Sequence, residues 1–298
     1  MPDQPRLADG DLVLRPCGPD DPVQEQLRFV CEWNARPVGS VGIELRDHHV
    51  GVLYCAVDEP YRGRGLASRA VRMLVRFGFD ELGLERVEAH VNPLNWAALR
   101  VAQRSGLRRE GVMRGNTTLG DERHDTVVLG RLRDDPDPAT REGFIGILNS
   151  TLPTKRAIAQ GVLRNGAGQV LLCELTYKGE WDLPGGVVDP MESPSNCLVR
   201  EVREELGVEV RPQGLLAVNW LPPWRGWTDA TVFVFDLGVV ADDIVTRAAL
   251  QPREIRAVHW VGEEELEERV APYNQRLLAF LSTHAGPTAY LEDGLPAL

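Results

Sequence analysis

The chain has 298 residues, 43% of them hydrophobic and 26% charged, with a net charge of −11. Length and composition fit two ordinary globular domains of about 150 residues each, and the acidic balance argues against a general nucleic-acid binder, which carries a basic stripe. The five cysteines, Cys17, Cys31, Cys55, Cys173 and Cys197, are scattered and odd in number; with no C-x-x-C they read as reduced cytoplasmic thiols and not as a disulfide frame or a zinc site. The start, MPDQPRLADGD, lacks a basic n-region and an apolar h-region, so no secretory leader is expected. No apolar run approaches eighteen residues, so no membrane span is expected.

In chain order, Leu12–Pro16 and Arg28–Trp33 read as strands, and a further apolar strand, Leu53 to Val57, runs into Pro60-Tyr61-Arg62-Gly63-Arg64-Gly65-Leu66-Ala67. Helical spacing then holds from Leu66 to Phe79, with Leu66, Ala70 and Leu74 on one face and Ala67, Val71 and Val75 beside it. A strand, a glycine-rich turn and a helix form a phosphate cradle, because exposed N–H groups and the helix dipole both favour an anion. Val87–Val91 fits a strand after the long helix. Then come Asn92-Pro93-Leu94-Asn95-Trp96-Ala97-Ala98, Ser105-Gly106-Leu107 and Glu110-Gly111.

The spacing Arg62-x-x-Gly65-x-Ala67 resembles the pyrophosphate loop of GNAT acetyltransferases, and the Asn95 segment resembles the N-x-x-S…GF…EG stretch of members acting on protein N-termini or small amines. The resemblance covers roughly residues 8–133. It implies a mixed sheet with helices that binds acetyl-CoA through Val57, Arg62, Gly63, Arg64, Gly65, Leu66, Ala67 and Asn95 and passes the acetyl group to an amine acceptor. Ala98 replaces the usual serine and Leu107 the usual phenylalanine. Only residues 17–27 separate the first two strands, where the family places two helices that shape the acceptor pocket. Either another subunit or the second domain completes that pocket, or acetyl transfer has been lost. Glu44, Glu59 and Ser105 are the candidate general bases, each also explained by surface position or packing.

Asp134-Asp135-Pro136-Asp137-Pro138 has linker composition, and residues 134–154 are expected to join the halves. Within them 141–149 suit a short helix with Phe144, Ile145 and Leu148 on one face. The second half, 155–298, opens with strands at Ala157–Leu163 and Gln169–Glu174 around an Asn165-Gly166 turn. Leu183-Pro184-Gly185-Gly186 reads as a strand end followed by a tight turn. Ser193 suits an N-cap, Pro194 the first helical position and Gly207 the C-terminal stop, so a helix over 194–206 is expected. Leu198, Val202 and Leu206 give it a buried stripe. Glu201, Glu204 and Glu205, at i, i+3 and i+4, share another face, and carboxylates so close call for a cation; a hard divalent ion held by oxygen ligands meets that need. Arg200 can pair with Glu204 at i+4. Further strands are expected at Leu215–Trp220, Thr231–Phe235 and Ala257–Val261, and helices over Glu263–Arg269 and Asn274–Leu281. Trp220, Trp224 and Trp227, with prolines and Arg225 between them, suit either a stiff loop over a flat group such as a base or a hydrophobic loop packed between domains.

Gly186, Glu192, Arg200, Glu201, Glu204, Glu205 and Gly207 fall at G-x5-E-x7-R-E-U-x-E-E-x-G-U, with Val202 and Val208 at the aliphatic positions. This resembles a complete Nudix box, and chance odds for its fixed identities are on the order of 10⁻⁸ per start position. The resemblance implies an α/β/α sandwich that cleaves a nucleoside diphosphate-linked or nucleoside triphosphate substrate. Glu201, Glu204 and Glu205 would hold Mg²⁺ or Mn²⁺, Arg200 and Glu192 would orient the site, and Glu254, before a strand and Trp260, would be an extra functional carboxylate. The upstream motif of CoA-cleaving members is not visible. The fold class expected for the whole chain is α/β (α+β). Two alternatives to a hydrolase fused to an acetyl-CoA-binding domain are kept: an acetyltransferase whose second half only recognises a nucleotide, and a nucleotide or acyl-CoA sensor.

Overall fold

The computed structural model describes residues 4–18 and 27–297, and the chain divides into two units, Met1–Pro153 and Thr154–Leu298. In the first, chain order is β1 (Leu7–Asp9), β2 (Leu12–Pro16), β3 (Arg28–Trp33), β4 (Arg36–Leu45), β5 (Val50–Val57), α1 (Leu66–Asp80), β6 (Arg86–Val91), α2 (Trp96–Arg104), β7 (Arg108–Leu119), β8 (Glu122–Leu132) and α3 (Arg141–Thr151). The strands form one sheet ordered β1-β2-β3-β4-β5-β6-β8-β7. The short connection between β2 and β3 lies mostly in residues 19–26, outside the described residues. β4 and the β7–β8 hairpin go beyond the sequence expectations. β4 carries Pro37, Gly39 and Gly42, which weaken β propensity, and β7 and β8 alternate charged and small polar residues that hide the pattern.

α1 buries Leu66, Ala70, Val71, Leu74 and Val75 against Leu12, Leu14, Val41, Ile43 and Val87 of the sheet. β5 and β6 are parallel, but their pairing runs only from Val50–Arg86 to Val52–Glu88. Past that point the strands diverge, leaving a slot between Leu53–Val57 and Ala89–Val91. α3 occupies the stretch expected to join the halves. Thr140 caps it by accepting from the Gly143 N–H at 3.1 Å, and Ser150 Oγ accepts from the Arg109 N–H of β7 at 3.1 Å. Its Phe144, Ile145 and Leu148 face is exposed.

The second unit runs β9 (Arg156–Arg164), β10 (Val170–Leu175), β11 (Gly185–Val187), α4 (Pro194–Leu206), β12 (Gly214–Leu221), β13 (Ala230–Val239), α5 (Ile244–Arg247), β14 (Ile255–Val261), α6 (Glu263–Arg269), α7 (Pro272–Thr283), β15 (Ala289–Glu292) and β16 (Leu295–Pro296). Sheet order is β14-β10-β9-β13-β12-β15-β16, with β11 beside β9. Alternation along β9 sends Ala159 and Leu163 to a core shared with Leu198, Val202 and Leu206 of α4. It sends Val162 to a second core with Leu277, Leu278 and Leu281 of α7. Helix, sheet and helix thus form three layers. Gly185 and Gly186 do not make the expected tight turn: they are extended in β11, antiparallel to Gln160 and Ala159. A Cβ at Gly185, whose φ is +138°, would run into the Ala159 carbonyl oxygen, so glycine here serves close strand approach. Among the described residues no helix is long and apolar enough to cross a membrane.

Candidate functional site

In the second unit the local sequence builds the site helix as expected. Ser193 accepts from the Asn196 N–H at 3.2 Å, Pro194 opens α4, and Gly207 ends it at φ +66°. Arg200 organises the acidic residues around it. Its Nε and one terminal nitrogen donate to the two oxygens of Glu192, each at 2.9 Å. The other terminal nitrogen donates to Glu201 at 2.9 Å and to Glu204 at 3.2 Å. The main partner of Arg200 is therefore Glu192, with Glu204 secondary. The hydrogen bonds from Arg200 hold the Glu192 carboxyl down at about 2.

The three helix carboxylates occupy different environments. Glu204 is 52% exposed at its side chain and Glu201 16%, while Glu205 is buried. Glu205 Oε2 accepts from the Gly185 N–H at 3.1 Å, and Gly186 lies so close to Glu201 that a Cβ there would touch its carboxylate. Burial pushes the Glu205 carboxyl up to about 8, against the Gly185 hydrogen bond and helped by the charges of Glu201, Glu254 and Asp182. Burial also raises Glu201, with Arg200 opposing and Glu204 and Glu254 adding to the rise. Glu254 is exposed; its backbone carbonyl accepts from the Thr176 N–H at 2.9 Å, and its charge is felt at both Glu201 and Glu205. Among the described residues no three His, Cys, Asp or Glu side chains converge as a finished metal cage. Arg200 draws Glu204 outward while Gly185 draws Glu205 inward, so the expected face exists but its carboxylates are spread. The donor set still fits a hard cation. It is all oxygen, with buried Glu205 on the same helix as Glu201 and Glu204.

Sequence reasoning missed Asp182, which no spacing rule flags. It is buried and its Oδ1 accepts from Gln160 and Asn274, each at 2.7 Å, while Lys178 donates to its other oxygen. The tryptophans have separate roles. Trp181 stacks on His259 with ring centroids 4.0 Å apart. Trp224 and Trp227 are exposed and exchange backbone hydrogen bonds across Arg225 and Gly226, both at positive φ. The Arg225 guanidinium lies 4.2 Å from the Trp224 ring centroid and donates to Glu180 at 2.8 Å.

In the first unit, Val57, Arg62, Gly63, Gly65, Leu66 and Ala67 line a cleft of about 360 Å³ at the start of α1. It shares Val57, Arg62 and Ala67 with a cleft of about 530 Å³ that follows the slot between β5 and β6. Gly63 and Gly65 sit at φ +78° and +77°, which turns the chain into α1. Arg62 Nε donates to the Val57 carbonyl at 2.9 Å. Arg64 lines neither cleft; its guanidinium lies over the Trp33 ring at 5.3 Å. Asn95 lines the larger cleft and caps α2 by accepting from the Ala98 N–H at 3.1 Å. Of the candidate bases, Ser105 is buried with its hydroxyl donating to the Val101 carbonyl at 2.8 Å. Glu44 and Glu59 are exposed and line neither cleft.

One unit of three layers with a carboxylate-rich helix and another with a split mixed sheet and a glycine turn define a two-domain α/β protein. Residues 154–281 match the NUDIX domain model and residues 10–107 the acetyltransferase (GNAT) family model. A MutT-like protein of Streptomyces ambofaciens is 30% identical over 143 residues, covering 48% of this chain and 86% of that protein. A probable N-acetyltransferase, YjcK, of Bacillus subtilis is 36% identical over 81 residues, 27% of this chain and 45% of that protein. An RNA pyrophosphohydrolase of Pseudomonas savastanoi is 38% identical over 66 residues, 22% of this chain and 38% of that protein. The chain thus spans less than half the length of the latter two. It belongs to the Nudix family through its second unit and carries a GNAT-family domain in its first.

Proposed function

We propose that the second unit is a divalent-metal-dependent hydrolase of nucleoside diphosphate-linked or nucleoside triphosphate substrates. The observation that carries this is the buried Glu205 carboxylate, held by the Gly185 N–H at 3.1 Å on the same helix as Glu201 and Glu204. Glu201, Glu204 and Glu205 would hold Mg²⁺ or Mn²⁺. Such an ion supplies charge to phosphate oxygens and makes a water-derived nucleophile accessible near neutral pH. Arg200 positions Glu201 and Glu204 and is itself anchored by Glu192. The Gly185 N–H aims Glu205. Glu254, whose charge is felt at Glu201 and Glu205, would take a proton from an attacking water. Exposed Trp224 and Trp227 offer a stacking surface to a base. With Mg²⁺ or Mn²⁺, the purified protein should release monophosphate or phosphate from a member of a nucleotide panel. Turnover that survives both Glu204→Gln and Glu205→Gln would sink the assignment. Nucleotide binding without turnover would favour the alternative in which this unit only recognises its ligand.

We infer that the first unit, over residues 8–133, binds acetyl-CoA and transfers the acetyl group to an amine. The cleft that joins the β5–β6 slot to the glycine turn at the start of α1 supports this. Helix-terminal N–H groups at Leu66 and Ala67 favour pyrophosphate, and Arg62 adds charge beside them. Calorimetry should register acetyl-CoA binding, and Gly65→Glu should abolish it by placing a carboxylate in the cradle. Residues 134–154 are assigned as the joint between the domains and 155–298 as the Nudix domain. The described cysteines are free, which suits a reducing, cytoplasmic setting.

A further inference from the structure

The slot between β5 and β6 opens on both faces of the sheet. Leu53, Cys55, Ala89 and Val91 line it on the side of α1. Alternation sends Val52, Tyr54 and Ala56 of β5, and Glu88 and His90 of β6, to the opposite face. The pairing of Val52 with Glu88 puts Tyr54 and His90 two residues past the last paired residues, on facing lips of the slot. Both line the larger cleft, with Tyr54 exposed and the His90 side chain 22% exposed. Beneath His90, Glu88 is buried and ion-paired with Arg86 at 2.8 Å and Arg46 at 3.3 Å. Its Oε2 lies 3.0 Å from His90 Nε2. Burial pushes the Glu88 carboxyl up, but hydrogen bonds from Arg86 and His90 and the nearby positive charges outweigh it and hold the group below its usual value. An ionised carboxylate only accepts, so His90 Nε2 is the donor in this contact and Nδ1 is the ring nitrogen not engaged by Glu88.

We propose that His90, oriented by Glu88, is the general base of acetyl transfer at the β5–β6 slot. The inference rests on the acetyl-transfer reading of this unit. The amine nitrogen attacks the thioester carbonyl from the open face, the new N–C bond forms and the C–S bond breaks. Nδ1 takes the amine proton and returns it through solvent to the departing CoA thiolate, leaving amide and free thiol. Glu88 is a positioning residue, because it acts through the imidazole. Other titratable and charged groups around His90 are Arg86 on the same strand, Arg46 after β4, Tyr54 and Cys55 across the slot, and Glu110 on β7 against Arg86.

The test uses the full chain, acetyl-CoA, and n-butylamine or water as acceptor, reading thiol release alongside calorimetric binding. His90→Gln should lower kcat about 100-fold with acetyl-CoA affinity unchanged, and should remove the ascending limb of the kcat/KM profile. Added imidazole should restore part of the rate in His90→Ala, which a purely structural role would not allow. Glu88→Gln should lower kcat without changing affinity. If His90→Gln keeps kcat within twofold of the parent, the base assignment is overturned while acetyl transfer stands. If the parent chain binds no acetyl-CoA, or releases no thiol above background, the acetyl-transfer reading itself fails and His90 loses its role with it.

Discussion

Glu192 and Glu205 illustrate how one short motif drives two carboxyls in opposite directions. Arg200 holds Glu192 at about 2, below the ordinary 4.5. A depressed folded-state value contributes stability above about 4.5 and loses it as pH falls toward 2. Glu192→Gln should therefore lower the melting temperature most near neutral pH, with the difference from the parent shrinking as pH falls from about 4.5 toward 2. Glu205, at about 8, is largely protonated near neutral pH without a cation, so Glu205→Gln mimics it. That variant should melt close to the parent when metal-free. It should lose the stabilisation that Mg²⁺ gives the parent and about 100-fold or more in hydrolysis. A parent chain that melts identically with Mg²⁺ and with EDTA would remove the metal assignment. The identities and spacing of these residues were legible in sequence. Their separate environments were not, because burial of Glu205 and exposure of Glu204 depend on how α4 lies against β11.

At the scale of elements, β11 and α4 act as a pair. The Ser193 cap and Gly207 stop set the length of α4, and Ser193→Ala should cost about 1 kcal/mol. The two neighbouring glycines should separate cleanly by substitution. Gly185→Ala must move the backbone of β9 at Ala159 and should destabilise the unit by about 2 kcal/mol or more, read from denaturant midpoints. Gly186→Ala meets only the end of the Glu201 side chain, so it should fold nearly as well but lose hydrolysis. Equal losses of stability in both would contradict this arrangement. The glycine pair looked like a turn in sequence because turns and close strand approaches use the same residue. Only the register against β9 tells them apart. The slot that exposes His90 was hidden for a similar reason: β5 and β6 each read as ordinary strands, and nothing local says that their pairing stops at Val52 and Glu88.

For the whole molecule, each unit has its own core: one under α1 in the first, and two on either side of the sheet in the second. Acetyl-CoA should therefore raise one unfolding transition in calorimetry, and Mg²⁺ with a nucleotide should raise the other, because a ligand stabilises the unit that binds it. A single transition shifted equally by both would argue against separate units. By itself the sequence determined the two family signatures, the limits of α1 and α4 and most strands of the second unit, because capping, periodicity and motif spacing are local properties of the chain. Tertiary structure alone decided which strands separate to open a slot, which carboxylate of α4 is buried and that His90 rests on Glu88, because strand pairing and burial depend on residues far apart in sequence.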